Sequence, residues 1–299
     1  MVRFSVLPTS GLGAALFVAA FGLAPPATTT SIPAERPLVL MVPGRGYSVQ
    51  DTAGLRADWR GALERGMTAL GRPGLLEESD FRLVWYADVL DPTVPAECRG
   101  ERSSRARGRG EELASALSTA LTLAAAIAEW AGTVDGPPLR AVAGDLLYFG
   151  DELKRCAAEE RIADALAEAA RGGRPVVLIA HSFGSLVAHS HLSARDSASA
   201  PRVERWITIG SLIGRPELRT LLLGPEGRAL ALPPRVGSWV NVRDPGDVLG
   251  APLIGVGADS LASAGIADRM TEAAPAGDPH DPARYLSDPA TARAVLDAW

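Results

Sequence analysis

The chain reads as an α/β protein with a mainly parallel sheet flanked by helices on both faces. Three observations predict this. Short β-branched apolar runs recur along the sequence, amphipathic helical patterns separate them, and one run, residues 176–180, passes through a tight turn at a serine directly into a second apolar segment. Runs that are apolar throughout, with no polar alternation, belong to strands covered on both sides. A length of 299 residues is enough for one large core, and α/β folds of this size are often single domains. With 47% hydrophobic and 22% charged residues and a net charge of −5, the chain is expected to be globular. It carries no basic footprint for nucleic acid, so nucleic acid is not an expected partner.

Residues 1–34 stand apart. No charged side chain occurs between Arg3 and Glu35, and residues 11–24 (GLGAALFVAAFGLA) form an apolar block followed by Pro25, Pro26 and a Thr-rich run. A charged start, a short apolar centre and a small-residue exit fit a secretory signal peptide. The block is shorter than the roughly 20 apolar residues of a spanning helix; an uncleaved membrane anchor and a disordered cytoplasmic leader are the other readings. The first two make the chain secreted or extracytoplasmic, which is the expectation, and all three leave 35–299 as the folded domain.

Within that domain LVLMV (38–42) is the first strand. Leu55, Trp59, Leu63, Met67 and Leu70 then recur at three- and four-residue steps, which is one apolar helix stripe, closed by Gly71 and Pro73. FRLVWY (81–86) is the second strand. Residues from about 91 to 150 interrupt the alternation with a Pro-rich start, the Arg-rich stretch 99–110, an apolar helical run over 113–130 and Pro137-Pro138. This predicts a helical insertion ahead of the serine strand, placed to serve as a lid or side wall. A helix over 151–170 ends at Gly172-Gly173. Strands follow at VVLIA (176–180), RWITI (205–209) and SWVNV (238–242), and residues 289–298 form a last helix. Lys154 is the chain's single lysine and is read as a matter of composition, not chemistry. Cys98 and Cys156 are the two cysteines. They fit one disulfide in an exported chain, or two free thiols, and no close Cys/His cluster suggests a metal site.

The turn Ala180-His181-Ser182-Phe183-Gly184 has the shape of a nucleophile elbow: a serine between strand and helix with small residues two positions either side. A serine hydroxyl needs a base. Of the four histidines, His181 adjoins the serine on the strand, while His189 and His191 run away along the following helix. His280, from a distant loop, is the remaining candidate. An acid must then orient its imidazole, and Asp247 and Asp244 both follow the strand at 238–242. Asp247 is preferred because Asp244 precedes a proline and suits a turn. Asp278 and Asp281 are too close to His280 in sequence to reach its ring. For the oxyanion of a tetrahedral intermediate, the amide of Phe183 is one donor. The amide of Arg45, in the glycine loop MVPGRGY (41–47), is the second.

These residues resemble the α/β-hydrolase superfamily, especially its lipase- and esterase-like branch. The resemblance covers about residues 36–299. It rests on Gly44 to Gly46, the Ala-His-Ser-Phe-Gly elbow, Thr208-Ile209-Gly210-Ser211, Asp247 and His280. Ala180 stands where the usual elbow has glycine, and Pro43 where many relatives have histidine. The resemblance implies cleavage of carboxylic esters by a Ser182-His280-Asp247 triad, with no metal or organic cofactor. The expected partner is a small ester or lipid, and contact with a membrane or lipid surface is an added option. A thioesterase, amidase or acyltransferase would use the same residues, and a non-catalytic binding or scaffold protein of this fold is the alternative from another class. Acyl-chain length and oligomeric state have no signature in the sequence.

Overall fold

Strand β1, Leu38–Val42, is five apolar residues with every side chain buried, as a strand with neighbours on both edges and helices on both faces requires. A computed structural model describes residues 36–47, 52–91, 93–99, 148–194, 201–215, 230–254, 265–273 and 277–299. These belong to one compact unit, Glu35–Trp299. The expectations for residues 1–34 and for the helical run at 113–130 lie outside the described residues.

Around β1 stand β2 (Phe81–Leu83), β3 (Val176–His181), β4 (Arg205–Ile209), β5 (Trp239–Arg243) and β6 (Ile266–Met270). All pairings are parallel, and the order across the sheet is β2-β1-β3-β4-β5-β6. The chain leaves β1 toward β2, then returns past β1 to β3. The two halves therefore diverge between β1 and β3, and a crevice opens outside their carboxyl ends, where parallel sheets of this kind bind ligands. Both the elbow and the glycine loop emerge there.

Alternation along the strands sorts the core into two layers. Leu38, Leu40, Val42, Leu178, Ala180, Trp206 and Trp239 face α2 (Glu152–Arg171) and α3 (Phe183–Ser193). Val39, Met41, Val177, Ile179, Ile207 and Val240 face α1 (Thr52–Ala69), α4 (Pro282–Ser287) and α5 (Pro289–Leu296). Helix α3 is buried nearly all round, which is why its sequence shows no polar face.

Three elements differ from the sequence reading. The run 81–86 is a strand only to Leu83. Val84 still donates its amide to the Met41 carbonyl (2.8 Å), but Tyr86 then turns into the core and donates its hydroxyl to the Pro43 carbonyl (3.0 Å). The apolar residues 84–86 signal burial, not pairing. Strand β6 was not expected, because IADRM mixes charged with apolar residues. It is an edge strand, and its Asp268 accepts from Asn241 Nδ2 (2.7 Å), Leu253 N (3.2 Å) and Ile254 N (2.8 Å). Helix α4 is six residues long, too short to show a helical period.

Residues 88–99 run along α2 and are tied to it at several points. Cys98 and Cys156 form a disulfide, with their Cα atoms 5.7 Å apart. Arg99 pairs with Glu160 and Asp164, and Arg161 with Asp88. Lys154 is buried, and its Nζ donates to the carbonyls of Val89 (3.1 Å), Asp91 (2.7 Å) and Val94 (2.8 Å). An ammonium has three donors on one atom, so the single lysine satisfies three backbone acceptors at once.

Candidate active site

Strand β3 ends at His181, and α3 begins at Phe183, so Ser182 alone makes the turn between them. Its backbone sits at φ 51°, ψ −126°, and it is the one non-glycine residue of positive φ among those described. Such a conformation costs on the order of 1–3 kcal/mol and persists only where the surroundings enforce it. They do so here by close approach. A Cβ on Gly184 would lie 2.3 Å from the Pro43 carbonyl oxygen, and one on Gly44 would lie 2.9 Å from Ser182 Cβ. The glycine loop after β1 and the elbow after β3 can touch only because both positions lack a side chain.

The hydroxyl of Ser182 lies 2.8 Å from His280 Nε2, and His280 Nδ1 lies 2.8 Å from Asp247 Oδ2. Burial pushes the Asp247 carboxyl up. Hydrogen bonds and charge from His280, with further hydrogen bonds from Tyr285 and the Gly250 backbone, outweigh it and hold the group below its ordinary range. An ionised carboxylate can only accept, so the His280 proton is on Nδ1, and Nε2 is left to accept from the serine. Asp247 Oδ1 accepts from the Leu249 amide (2.9 Å), and Oδ2 accepts a second donor, the Tyr285 hydroxyl (2.8 Å).

The remaining candidates fall elsewhere. Asp244 accepts from the Gly246 amide (2.8 Å), as a turn-former does, and its other oxygen takes Arg284 Nη2 (2.5 Å) and Nε (3.1 Å). Asp278 accepts from the His280 amide (2.9 Å), and Asp281 caps α4 through the Ala283 amide (2.9 Å). His189 is buried against Trp206 and Trp239, and burial pushes it down to about 4. His191 is likewise buried in α3.

Sequence reasoning missed Tyr285 and the packing of His181 on His280. The His181 side chain packs its ring 4.8 Å from that of His280. Its Nε2 lies 2.9 Å from the His280 carbonyl. A carbonyl only accepts, so this nitrogen carries the proton and donates. Burial pushes His181 down to about 3, so it stays neutral beside the second imidazole. No local pattern reveals this, because the contact joins residues 99 positions apart.

Phe183 is the first residue of α3, where helix amides have no carbonyl partner within the helix. Its ring is buried against Tyr148 and Phe149, with centroids 5.3 and 5.9 Å away. Arg45 follows Gly44 in the loop that abuts Ser182, and its Nη1 donates to the Ala87 carbonyl at 3.4 Å.

No known protein family matches the chain, and no curated protein does. A solved structure described as "RedJ with PEG molecule bound in the active site" aligns with 85% of this chain and 88% of its own, at 17% identity and a TM-score of 0.34. The fold class therefore rests on the sheet itself: six parallel strands between helices, an α/β architecture consistent with an α/β-hydrolase-like fold. No helix among the described residues is long and apolar enough to cross a membrane. The disulfide is compatible with an extracellular protein.

Proposed function

We propose that the chain is a serine hydrolase that cleaves carboxylic esters through an acyl-enzyme intermediate. The supporting observation is the unbroken hydrogen-bonded chain from Ser182 Oγ through His280 to Asp247, two links of 2.8 Å each, beginning at a strained backbone turn. Ser182 Oγ attacks the ester carbonyl carbon while its proton passes to His280 Nε2. Asp247 keeps the imidazole oriented and stabilises the imidazolium. The amides of Phe183 and Arg45 hold the oxyanion. Collapse of the intermediate breaks the bond to the alcohol, which leaves with the proton from His280. Water, deprotonated by the same imidazole, then releases the acid and regenerates Ser182. The substrate is a small ester or lipid, and the chain acts outside the cytoplasm, where its disulfide persists.

The test compares wild type with Ser182→Ala on short acyl esters. Turnover is expected to drop by at least roughly 10³-fold, leaving only what binding and the oxyanion site supply. Wild-type rates in the variant would remove the assignment.

A further inference from the structure

The proposed reaction gives no role to the buried hydroxyl that touches the acid of the site. Tyr285, fully buried in α4, accepts from the Asp244 amide (2.9 Å) and donates to Asp247 Oδ2 (2.8 Å). That is the same oxygen that takes the proton of His280 Nδ1, also at 2.8 Å. Burial, with the charge of Asp247, raises the phenol far above its ordinary range, so it remains a donor at every working pH.

We propose that Tyr285 is a positioning residue that shares the charge of Asp247 with His280 and thereby sets the strength of the acid–imidazole bond. This rests on the reading of Ser182, His280 and Asp247 as a triad. The carboxylate does not need Tyr285 to be aimed, because the Leu249 amide holds Oδ1 and the Gly250 backbone adds a further bond. What the phenol adds is electrostatic. Its hydroxyl proton competes with the His280 proton for one oxygen and draws charge away from it. The Asp244 amide, by donating to the phenol oxygen, polarises the O–H and strengthens that competition. With Tyr285 present, the carboxylate stays ionised but holds the imidazolium less tightly than an unshared carboxylate would. Among the described residues, the other titratable or charged groups that contact His280 or its loop are Ser182 at the turn, His181 at the end of β3, Asp278 in its own loop, Asp281 at the start of α4, and the Asp244–Arg284 pair. Tyr285→Phe leaves all of these in place.

The experiment measures the pH dependence of kcat/KM for a soluble ester and the downfield proton resonance of the His280–Asp247 hydrogen bond. Both are recorded in wild type, in Tyr285→Phe, and in protein carrying 3-fluorotyrosine at position 285. In Tyr285→Phe the acid limb is expected to move up by about half to one pH unit, about three- to tenfold in the proton affinity it reports, and the resonance to move farther downfield. Fluorotyrosine, a stronger donor that keeps both of its hydrogen bonds, is expected to move both readouts the opposite way. It carries the test if the Phe variant fails to fold. A purely structural role lowers activity without moving either readout, and that result, or shifts of the same sign in both variants, overturns the proposal. A wild-type protein without ester turnover would remove the triad reading instead, while the resonance shifts would still decide the role of Tyr285.

Discussion

Two regions, the crevice between β1 and β3 and the segment fastened to α2, show how differently this molecule uses its interactions. At the crevice between β1 and β3, the structure holds Ser182 in a disfavoured backbone conformation and buries His181, His280, Asp247 and Tyr285 together. Along α2, the Lys154 carbonyl contacts, the Cys98–Cys156 disulfide and the Arg99 pairs fasten a connecting segment that has no regular structure beyond its turns. The first region gives up stability for geometry, and the second supplies stability without touching the reacting atoms. Substitutions should separate accordingly: the crevice should lose rate and keep its fold, and the α2 segment should lose stability and keep its rate.

The largest expected effect is His280→Ala. It removes the base and should lower kcat by roughly 10⁴-fold or more, with the melting temperature essentially unchanged. Loss of folding instead would place His280 among the stabilising residues and collapse the contrast. Next is reduction of the disulfide. With the two cysteines 58 positions apart, opening the bridge should cost about 4 kcal/mol if loop entropy dominates. Denaturant midpoints read that loss, and the ester rate of the protein that remains folded should stay unchanged. Lys154→Met should follow at about 2 kcal/mol, since it takes the ammonium from the buried Val89 carbonyl and the part-buried Asp91 and Val94 carbonyls, of which only that of Asp91 keeps another donor, the Val94 amide (3.2 Å), again with kcat preserved. A variant as stable as wild type would show that water replaces the ammonium.

The last effect, the smallest for any one histidine and pH unit, is read through pH. His181 and His189 are pushed down to about 3 and about 4 from an ordinary 6.5. As pH falls below about 6.5, the unfolded chain takes up protons that the folded chain refuses, so stability falls with acidification until the folded values are reached. Each histidine contributes up to about 1.4 kcal/mol per pH unit across its window, and neither contributes above it. Equilibrium unfolding at several pH values should show the slope, and His189→Phe should remove its share. A flat profile between pH 6.5 and 4 would mean that both rings accept protons in place.

How much of this the sequence carried follows from the kind of signal each residue leaves. The elbow was legible because an apolar strand, a small-flanked serine and an apolar helix lie next to one another. His280 followed from having four histidines, three of them in the wrong part of the chain, and Asp247 from its place after the strand at 238–242 once the proline set Asp244 aside; His280 lies against Ser182 and Asp247 against His280. Tyr285 and the contact of His181 with His280 left no trace, because they join distant segments and α4 is too short for periodicity. Strand β6 was hidden by Asp268, a polar residue whose partners come from β5 and the loop behind it. Lys154, read as a compositional accident, holds three carbonyls that sequence pattern could not bring together.

The proposed reaction rests on Ser182 acting as a nucleophile activated by His280. Its most direct measurement is labelling of the folded protein with an active-site-directed fluorophosphonate, followed by mass-spectrometric mapping of the adduct. One adduct is expected, on Ser182, formed rapidly in wild type and far more slowly in His280→Ala. An unlabelled wild-type protein, or an adduct on any other residue, would contradict it.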